Sequence, residues 1–361
     1  MRLRIALGLL SLLSLLLTPP LAVAAPVTDN TFETTLANGM RVVVREDHRA
    51  PTAVQMVWYR VGSIDEHDGV TGVAHVTEHM MFKGTPRVGP GEFNRRVASV
   101  GGRDNAFTST DYTAYFQQVP ASQLKAVMVL EADRMRHLTL EPTGYSKEIQ
   151  VIMEERRMRT DDQSSARVHE AMNAVAWQAH PYRRPVIGWM SDLEQMTVAD
   201  VRDWYRRWYV PNNATLVVVG DVNHQQVFGW AKQTYGAIPA RALPERKQYE
   251  EPVQTGQRQL EVKAPADLPL LVMGWKAPRL NDPRKDMDPY ALEMLAQILD
   301  GHDAARLPTA LVREQQVAVS IDTSYDSTNR GPSMFMVQAS PRPGHTVEQL
   351  EQSIRGALAE V

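Results

Sequence analysis

The chain has 361 residues, 43% of them hydrophobic, a net charge of -3 and no cysteine. That composition excludes a disulfide scaffold, thiolate chemistry and a lipid-anchor cysteine. The mildly acidic balance gives no global sign of nucleic-acid binding, so no nucleic-acid partner is expected.

Met1-Arg2-Leu3-Arg4 precedes an apolar run from Ile5 to Leu17, and Leu21-Ala22-Val23-Ala24-Ala25-Pro26 follows. A positive start, a short apolar stretch and an A-x-A site predict a signal peptide over residues 1–24, cleaved after Ala24. The run is too short for a membrane span and Pro19-Pro20 interrupts it. We therefore expect export to the periplasm, or secretion, with no membrane anchor. Removing residues 1–24 takes away two arginines and no acids, leaving 337 residues at net charge -5. That length exceeds the usual single domain.

Thr31–Leu36, Asn38-Gly39 and Met40–Arg45 read as strand, tight primed turn and strand. Ala53–Val61, rich in Val, Trp and Tyr, predicts a third strand. Gly62–Gly72 is a polar loop that leads into His75-Val76-Thr77-Glu78-His79. On a helix from Val73 to Phe82, positions i and i+4 share a face, so both imidazoles can reach one metal ion. Glu78 projects beside that face, where a carboxylate can take a proton from water held by the metal. This H-x-x-E-H pattern is the inverted zinc-protease signature. With cysteine absent, the remaining ligands must be His, Asp or Glu.

A second helix, Gly91–Val100, ends at Gly101-Gly102, and Asn105–Val119 reads as one long strand stopped by Pro120. Ser122–Leu138 and the charged Ser146–Met158 predict helices. Thr197–Tyr209 is a capped helix, and Leu216–Gly220 a short buried strand. From about Ala237 to Gln257 the chain turns to Pro, Arg, Gln and Glu, as a linker does. The order then restarts as strand Leu268–Trp275, loop Pro278–Asp288, helix Tyr290–Leu299, helix Leu307–Glu314, strand Ala318–Tyr325 and strand Ser333–Ala339. Helix Thr346–Glu360 opens on a Thr346-x-x-Gln349 capping box. We expect an α+β fold of two similar domains, each a mostly antiparallel sheet packed by helices. Residues 25–240 would form the metal-binding domain, 241–258 the linker, and 259–361 a second domain that is incomplete.

Two histidines do not complete a catalytic zinc site, which usually takes three protein ligands. Segment 146–158 supplies the candidates. Glu148 and Glu155 lie seven apart, two helical turns, and share a face with Val151 and Ile152 beside it. Acids on a semi-apolar face are costly to bury unless a cation or metal pairs with them. Spacing leaves both open as the third ligand, whereas Glu154 points elsewhere.

H-x-x-E-H followed 76 residues later by Glu155 inside an E-x6-E helix resembles the insulinase/pitrilysin/mitochondrial-processing-peptidase family of zinc peptidases. Gly72-x-Ala74-His75 through Gly84-Thr85, Gly101-Gly102-Arg103-Asp104-Asn105-Ala106-Phe107-Thr108-Ser109, and His180-Pro181-Tyr182 through Gly188-Trp189 match as well. The resemblance implies one Zn2+ held by His75, His79 and Glu155, with Glu78 as general base and Glu148 steadying the site behind the ligands. It also implies that Asn105, Ala106, Phe107 and Thr108 form an edge strand to which a peptide adds as a further strand. Read alone, those four residues fit an ordinary sheet strand equally well. The activity implied is hydrolysis of peptides or unfolded polypeptides by metal-activated water. A catalytically silent assembly subunit and a peptide- or metal-binding protein are the alternatives; the first usually lacks H-x-x-E-H, and the second has no need of Glu78.

Family members that work alone carry an Arg and a Tyr seven apart in the second domain. Val312 and Val319 stand there instead, and a valine side chain donates no hydrogen bond. The resemblance therefore implies a homologous partner subunit that supplies the Arg/Tyr pair, in a heterodimer enclosing a chamber.

Overall fold

The computed structural model describes residues 30–360, so the signal-peptide reading of 1–24 lies outside the described residues. The first six strands are β1 (Thr31–Thr35), β2 (Arg41–Glu46), β3 (Thr52–Tyr59), β4 (Arg103–Thr108), β5 (Thr113–Pro120) and β6 (Ala214–Gly220). They form one sheet in the order β1-β2-β6-β3-β5-β4. All neighbours are antiparallel except β2 and β6, which are parallel. Alternate residues of β3 face inward, with Ala53, Val57 and Tyr59 essentially fully buried. A period-2 pattern of this kind is what a sheet covered on one face requires. β4 is an edge strand, with only β5 beside it.

Eight helices accompany this sheet: α1 (Val73–Met80), α2 (Glu92–Ser99), α3 (Leu124–His137), α4 (Pro142–Arg156), α5 (Ser164–Ala176), α6 (Met190–Gln195), α7 (Val198–Trp208) and α8 (His224–Thr234). α1 buries Val73, Ala74, Val76 and Met80 in the core and lies beside α4 and α7. Its start is built by two features. The Glu66 carboxylate accepts the Gly72 and Ala74 amides, both at 2.9 Å, in place of a capping side chain at position 72. Gly72 also has φ +90°, and Gly188 (φ +87°) meets it face to face. A Cβ on Gly188 would lie 2.3 Å from the Thr71 carbonyl oxygen and 2.8 Å from Gly72 Cα. From α4, the Arg156 guanidinium donates to the Gly188 carbonyl at 2.9 Å and to Glu170 at 2.8 and 3.0 Å. One backbone contact thus fixes the N-terminus of α1 and the C-terminal end of α4 together.

Several local expectations change. The β1–β2 connection is not a two-residue primed turn. The Gly39 amide bonds to the Leu36 carbonyl at 2.8 Å, the Leu36 amide to Met40 at 2.9 Å, and Asn38 does not have positive φ. A primed type I′ turn needs positive φ at both central residues; here only Gly39 has it, so the loop is three residues long. The long strand expected over 105–119 is a hairpin. Ser109 Oγ accepts the Asp111 and Tyr112 amides at 3.1 and 3.3 Å and reverses the chain. α4 starts at Pro142, and the chain after it widens into a π-helical turn, Arg157–Asp161. α5, α6 and α8 have no counterpart among the expected elements.

Residues 239–270, which include the stretch read as a linker, carry neither helix nor strand. They are laid onto the first sheet's helices. Arg258 reaches the Val175 carbonyl at 2.7 Å, and Glu251 accepts the amides of Gln178, Ala179 and His180 at 2.8–3.0 Å. Beyond them, β7 (Leu271–Ala277), β8 (Ala318–Ser324) and β9 (Ser333–Pro341) form a sheet ordered β7-β9-β8. α9 (Asp288–Asp300), a π-helical segment Pro308–Glu314 and α10 (Val347–Ala359) pack with it around a second apolar core centred on Leu299, Leu311, Val337 and Leu350. This order repeats β3-β5-β4 strand for strand.

Gly188→Ala should destabilise the protein by more than about 2 kcal/mol, because it adds a backbone clash to a positive φ. Urea unfolding beside Gly101→Ala, which has positive φ but open space around it, separates the two effects.

Candidate metal centre

α1 presents His75 and His79 one turn apart, with ring centroids 4.7 Å from each other. α4 brings Glu155 to them: its Oε2 lies 3.3 Å from His79 Nε2 and 3.8 Å from His75 Nε2. Among the described residues these three alone offer ligand atoms converging within 4.8 Å. Glu148, one of the two spacing-equivalent candidates, does not join them. Its Oε1 is 3.0 Å from His79 Nδ1, so the imidazole's Nδ1–H donates to it and Nε2 is turned toward Glu155.

The two α4 carboxylates share a pattern. Glu148 divides its oxygens between His79 and the Lys83 ammonium. Glu155 directs Oε2 to the histidines and Oε1 to Arg159 NH1 at 2.8 Å. Each thus keeps one oxygen for an imidazole and one for a cation, and neither charge is buried alone. Burial alone would raise Glu148, but hydrogen bonds from His79 and Lys83 more than reverse this and hold its carboxyl below the usual range. Burial, helped by His79 and Arg159, drives the His75 imidazole down to about 3, so it is neutral. Two imidazole nitrogens plus one carboxylate oxygen are a donor set that suits Zn2+. His75 Nδ1 is buried without a protein partner; nothing does for it what Glu148 does for His79.

Glu78, also on α1, is buried beside this cluster. Burial raises its carboxyl above the usual range, while a short hydrogen bond from Thr108 Oγ1 pulls the other way. Thr108 ends β4, so the edge strand is tied to the carboxylate. Asn105, Ala106, Phe107 and Thr108 all lie on that edge strand. Phe107 packs on Trp58, Tyr112 and Phe116, while Asn105 is exposed. An open groove of about 630 Å³ beside the cluster is bordered by His79, Val151, Glu155, Met158 and Arg159.

Sequence reasoning passed over Lys83 and Arg159. Arg159 lies four residues after its partner Glu155, and that i,i+4 spacing is the available signal; Lys83 pairs with Glu148 of another element, a contact with no local signal. Glu154 is exposed and pairs with Arg157 at 3.0 Å, away from the cluster as expected. In the second sheet's region, Val312 is half-buried and Val319 exposed. Arg313 donates to Thr309 on its own segment.

Residues 41–189 match the family described as Insulinase (Peptidase family M16), and residues 195–361 match Peptidase M16 inactive domain. The zinc protease PqqE of Helicobacter pylori is 33% identical over 332 residues, covering 91% of this chain and 73% of that protein. A crystal structure of a protease from Helicobacter pylori has a TM-score of 0.86 at 32% identity, covering 91% of this chain and 79% of that one. The periplasmic protease PqqL from Escherichia coli shares the fold at a TM-score of 0.72 and 21% identity, with 93% of this chain and 40% of that one covered.

His75→Ala should abolish stoichiometric zinc binding, and Glu148→Gln should weaken it by about ten- to a hundredfold. Both are read by competition with a chromogenic chelator. In the metal-free protein the folded His75 binds a proton far less readily than an ordinary histidine, which titrates at 6.5. Its contribution is therefore fully present above that value and lost as pH falls from 6.5 toward 3. His75→Gln should flatten that part of the stability–pH curve.

Proposed function

The chain belongs to the insulinase family, peptidase family M16, and on that premise we propose that it is a zinc-dependent endopeptidase of peptides or unfolded polypeptides. His75, His79 and Glu155 are its metal ligands, one Zn2+ per chain, and Glu78 is its general base. The observation that carries this reading is the convergence of two imidazoles and one carboxylate oxygen beside a buried, hydrogen-bonded glutamate. When bound there, zinc supplies Lewis acidity and brings the pKa of water toward neutrality.

The protein's own residues do the rest. Glu78 accepts the proton of the attacking water as the water oxygen bonds to the scissile carbonyl carbon. It then returns that proton to the leaving amine as the C–N bond breaks. A carboxyl raised by burial suits both halves of that exchange, since a base that holds its proton too weakly accepts it poorly. Thr108 Oγ1 keeps the carboxylate oriented. Glu148 fixes the His79 tautomer, and Lys83 balances the charge of Glu148. The free edge of β4, from Asn105 to Thr108, offers its backbone to an extended chain once the Asn105 carboxamide gives up the Ala106 amide it caps at 2.9 Å, a mode of recognition that tolerates many side chains.

The second half is read as a non-catalytic domain beginning after a linker at 241–258. With Val312 and Val319 unable to donate hydrogen bonds, a homologous partner subunit completes substrate binding. The reading of 1–24 as a signal peptide, together with likeness to a periplasmic protease, supports a periplasmic site of action. A silent assembly subunit would have no use for a complete ligand set with its base.

Glu78→Gln should retain wild-type zinc content and lose at least about a hundredfold in kcat/KM on a quenched fluorogenic peptide. An active Glu78→Gln would sink the assignment. Zinc-loaded wild type that is silent alone but active when mixed with a homologous subunit is the outcome expected if the Arg/Tyr pair comes in trans.

A further inference from the structure

The β4–β5 turn is held from three directions, and one of them comes from the second sheet. The backbone of 62–65 contributes first: the Ser63 and Ile64 amides bond to the Ser109 and Thr110 carbonyls at 3.2 and 2.9 Å. The fit is close, because a Cβ on Gly62 would lie 2.5 Å from both of those oxygens. Tyr182, from the His180-Pro181-Tyr182 stretch, contributes second. Its hydroxyl donates to Asp111 Oδ1 at 2.6 Å and accepts the Gly331 amide at 2.8 Å.

Arg330, in the β8–β9 loop, is the third. Its guanidinium grips Asp65 with two bonds of 2.8 and 3.0 Å and donates to the Asp111 carbonyl at 3.0 Å. Its backbone amide donates to Asp111 Oδ2 at 2.8 Å. Asp111 is buried and the Asp65 side chain is nearly so, and Arg246 from the connecting segment adds a further bond to Asp65 at 3.0 Å. A buried carboxylate held by a planar two-pronged donor is among the stronger and more directional of side-chain contacts. Three residues before Asp111, Thr108 holds Glu78.

We propose that Arg330 is a positioning residue for the peptidase site, acting through Asp111 and the β4–β5 turn on Thr108, and so on Glu78 and the peptide-receiving edge. This rests on the peptidase reading for its functional half, whereas its structural half does not. The second sheet would then serve the first through its β8–β9 loop, without supplying a catalytic residue. None of the metal ligands lies on the hairpin, so this control is separate from metal binding.

The test uses the full chain as wild type, Arg330→Ala, Arg330→Lys, Thr108→Val and the Arg330→Ala/Thr108→Val double variant. Hydrogen exchange in Arg330→Ala should accelerate by about tenfold or more over residues 103–113, with α1, α4 and zinc content unchanged. Unchanged exchange in the hairpin, or equal acceleration in α1 and α4, would overturn the proposal. If the alanine variant does not fold, Arg330→Lys serves: it keeps the charge, loses the fork, and should show a smaller acceleration confined to the same residues. On a peptide substrate, Arg330→Ala should lower kcat/KM and add little to the loss already caused by Thr108→Val. Two losses that multiply independently would show that Arg330 does not act through Thr108. A wild type that binds zinc and cuts no peptide in any mixture defeats the peptidase reading, while hydrogen exchange still decides what Arg330 holds.

Discussion

Two imidazoles on α1 and two carboxylates on α4 face one another in a partly desolvated contact, and most of the surrounding architecture makes that contact tolerable. Burying an unpaired carboxylate or a protonated imidazole there would cost several kcal/mol. The structure avoids both. His75 is kept neutral, and each carboxylate splits its two oxygens between an imidazole and a cation. The separation of the helices is then set by a close backbone contact and one side chain that reaches it. Gly72 and Gly188 touch where no Cβ fits, and Arg156 of α4 bonds to the Gly188 carbonyl. Small errors in that contact would displace Glu155 from the histidines.

What the sequence showed and what it hid divide along this line. The i,i+4 histidines on a helix were legible because helical periodicity alone places them. Glu148 and Glu155 were not separable, since two residues seven apart share a face. The tilt of α4 across α1 decides between them, bringing Glu155 to both Nε2 atoms and Glu148 only to Nδ1 of His79. Thr, Tyr and Phe run on both sides of the hairpin at 109–112, so residue types alone give one continuous strand. The signal was Ser109, whose hydroxyl competes for the backbone amides that a continuing strand would use. α5 and α8 escaped because their inward faces are narrow: α5 fully buries Ala176 alone, and α8 only Val227 and Ala231. Thr108 had no local signature as the partner of Glu78. That contact joins residues thirty apart and exists only once β4 lies along α1.

The second sheet makes the same point in reverse. It repeats β3-β5-β4 as β7-β9-β8, with helical segments in the same places, yet carries no counterpart of H-x-x-E-H. Strand order and core are fixed by alternation, and β9 keeps a strict inward–outward pattern over nine residues without needing particular side chains. Chemistry depends on a few identities. Those identities can disappear while the layer persists, so similarity of side chains between the halves is faint even where their element order agrees.

On the reading proposed above, the second half supports the first although it lacks H-x-x-E-H. An edge strand that recognises backbone gains little selectivity from side-chain pockets, so its contribution to rate depends on how well it is held before the substrate arrives. β4 has a neighbour on one side only, and edge strands with free backbone groups are prone to fray or pair wrongly. Its far end, Thr108, must nevertheless keep a hydroxyl on a buried carboxylate. The turn beyond it is fastened to the loop at 62–65, to Tyr182 and to Arg330, three elements that lie far apart in sequence. An edge free to accept a peptide and rigid enough to aim it needs its support at its ends rather than along its length, and the β8–β9 loop is placed to give that support.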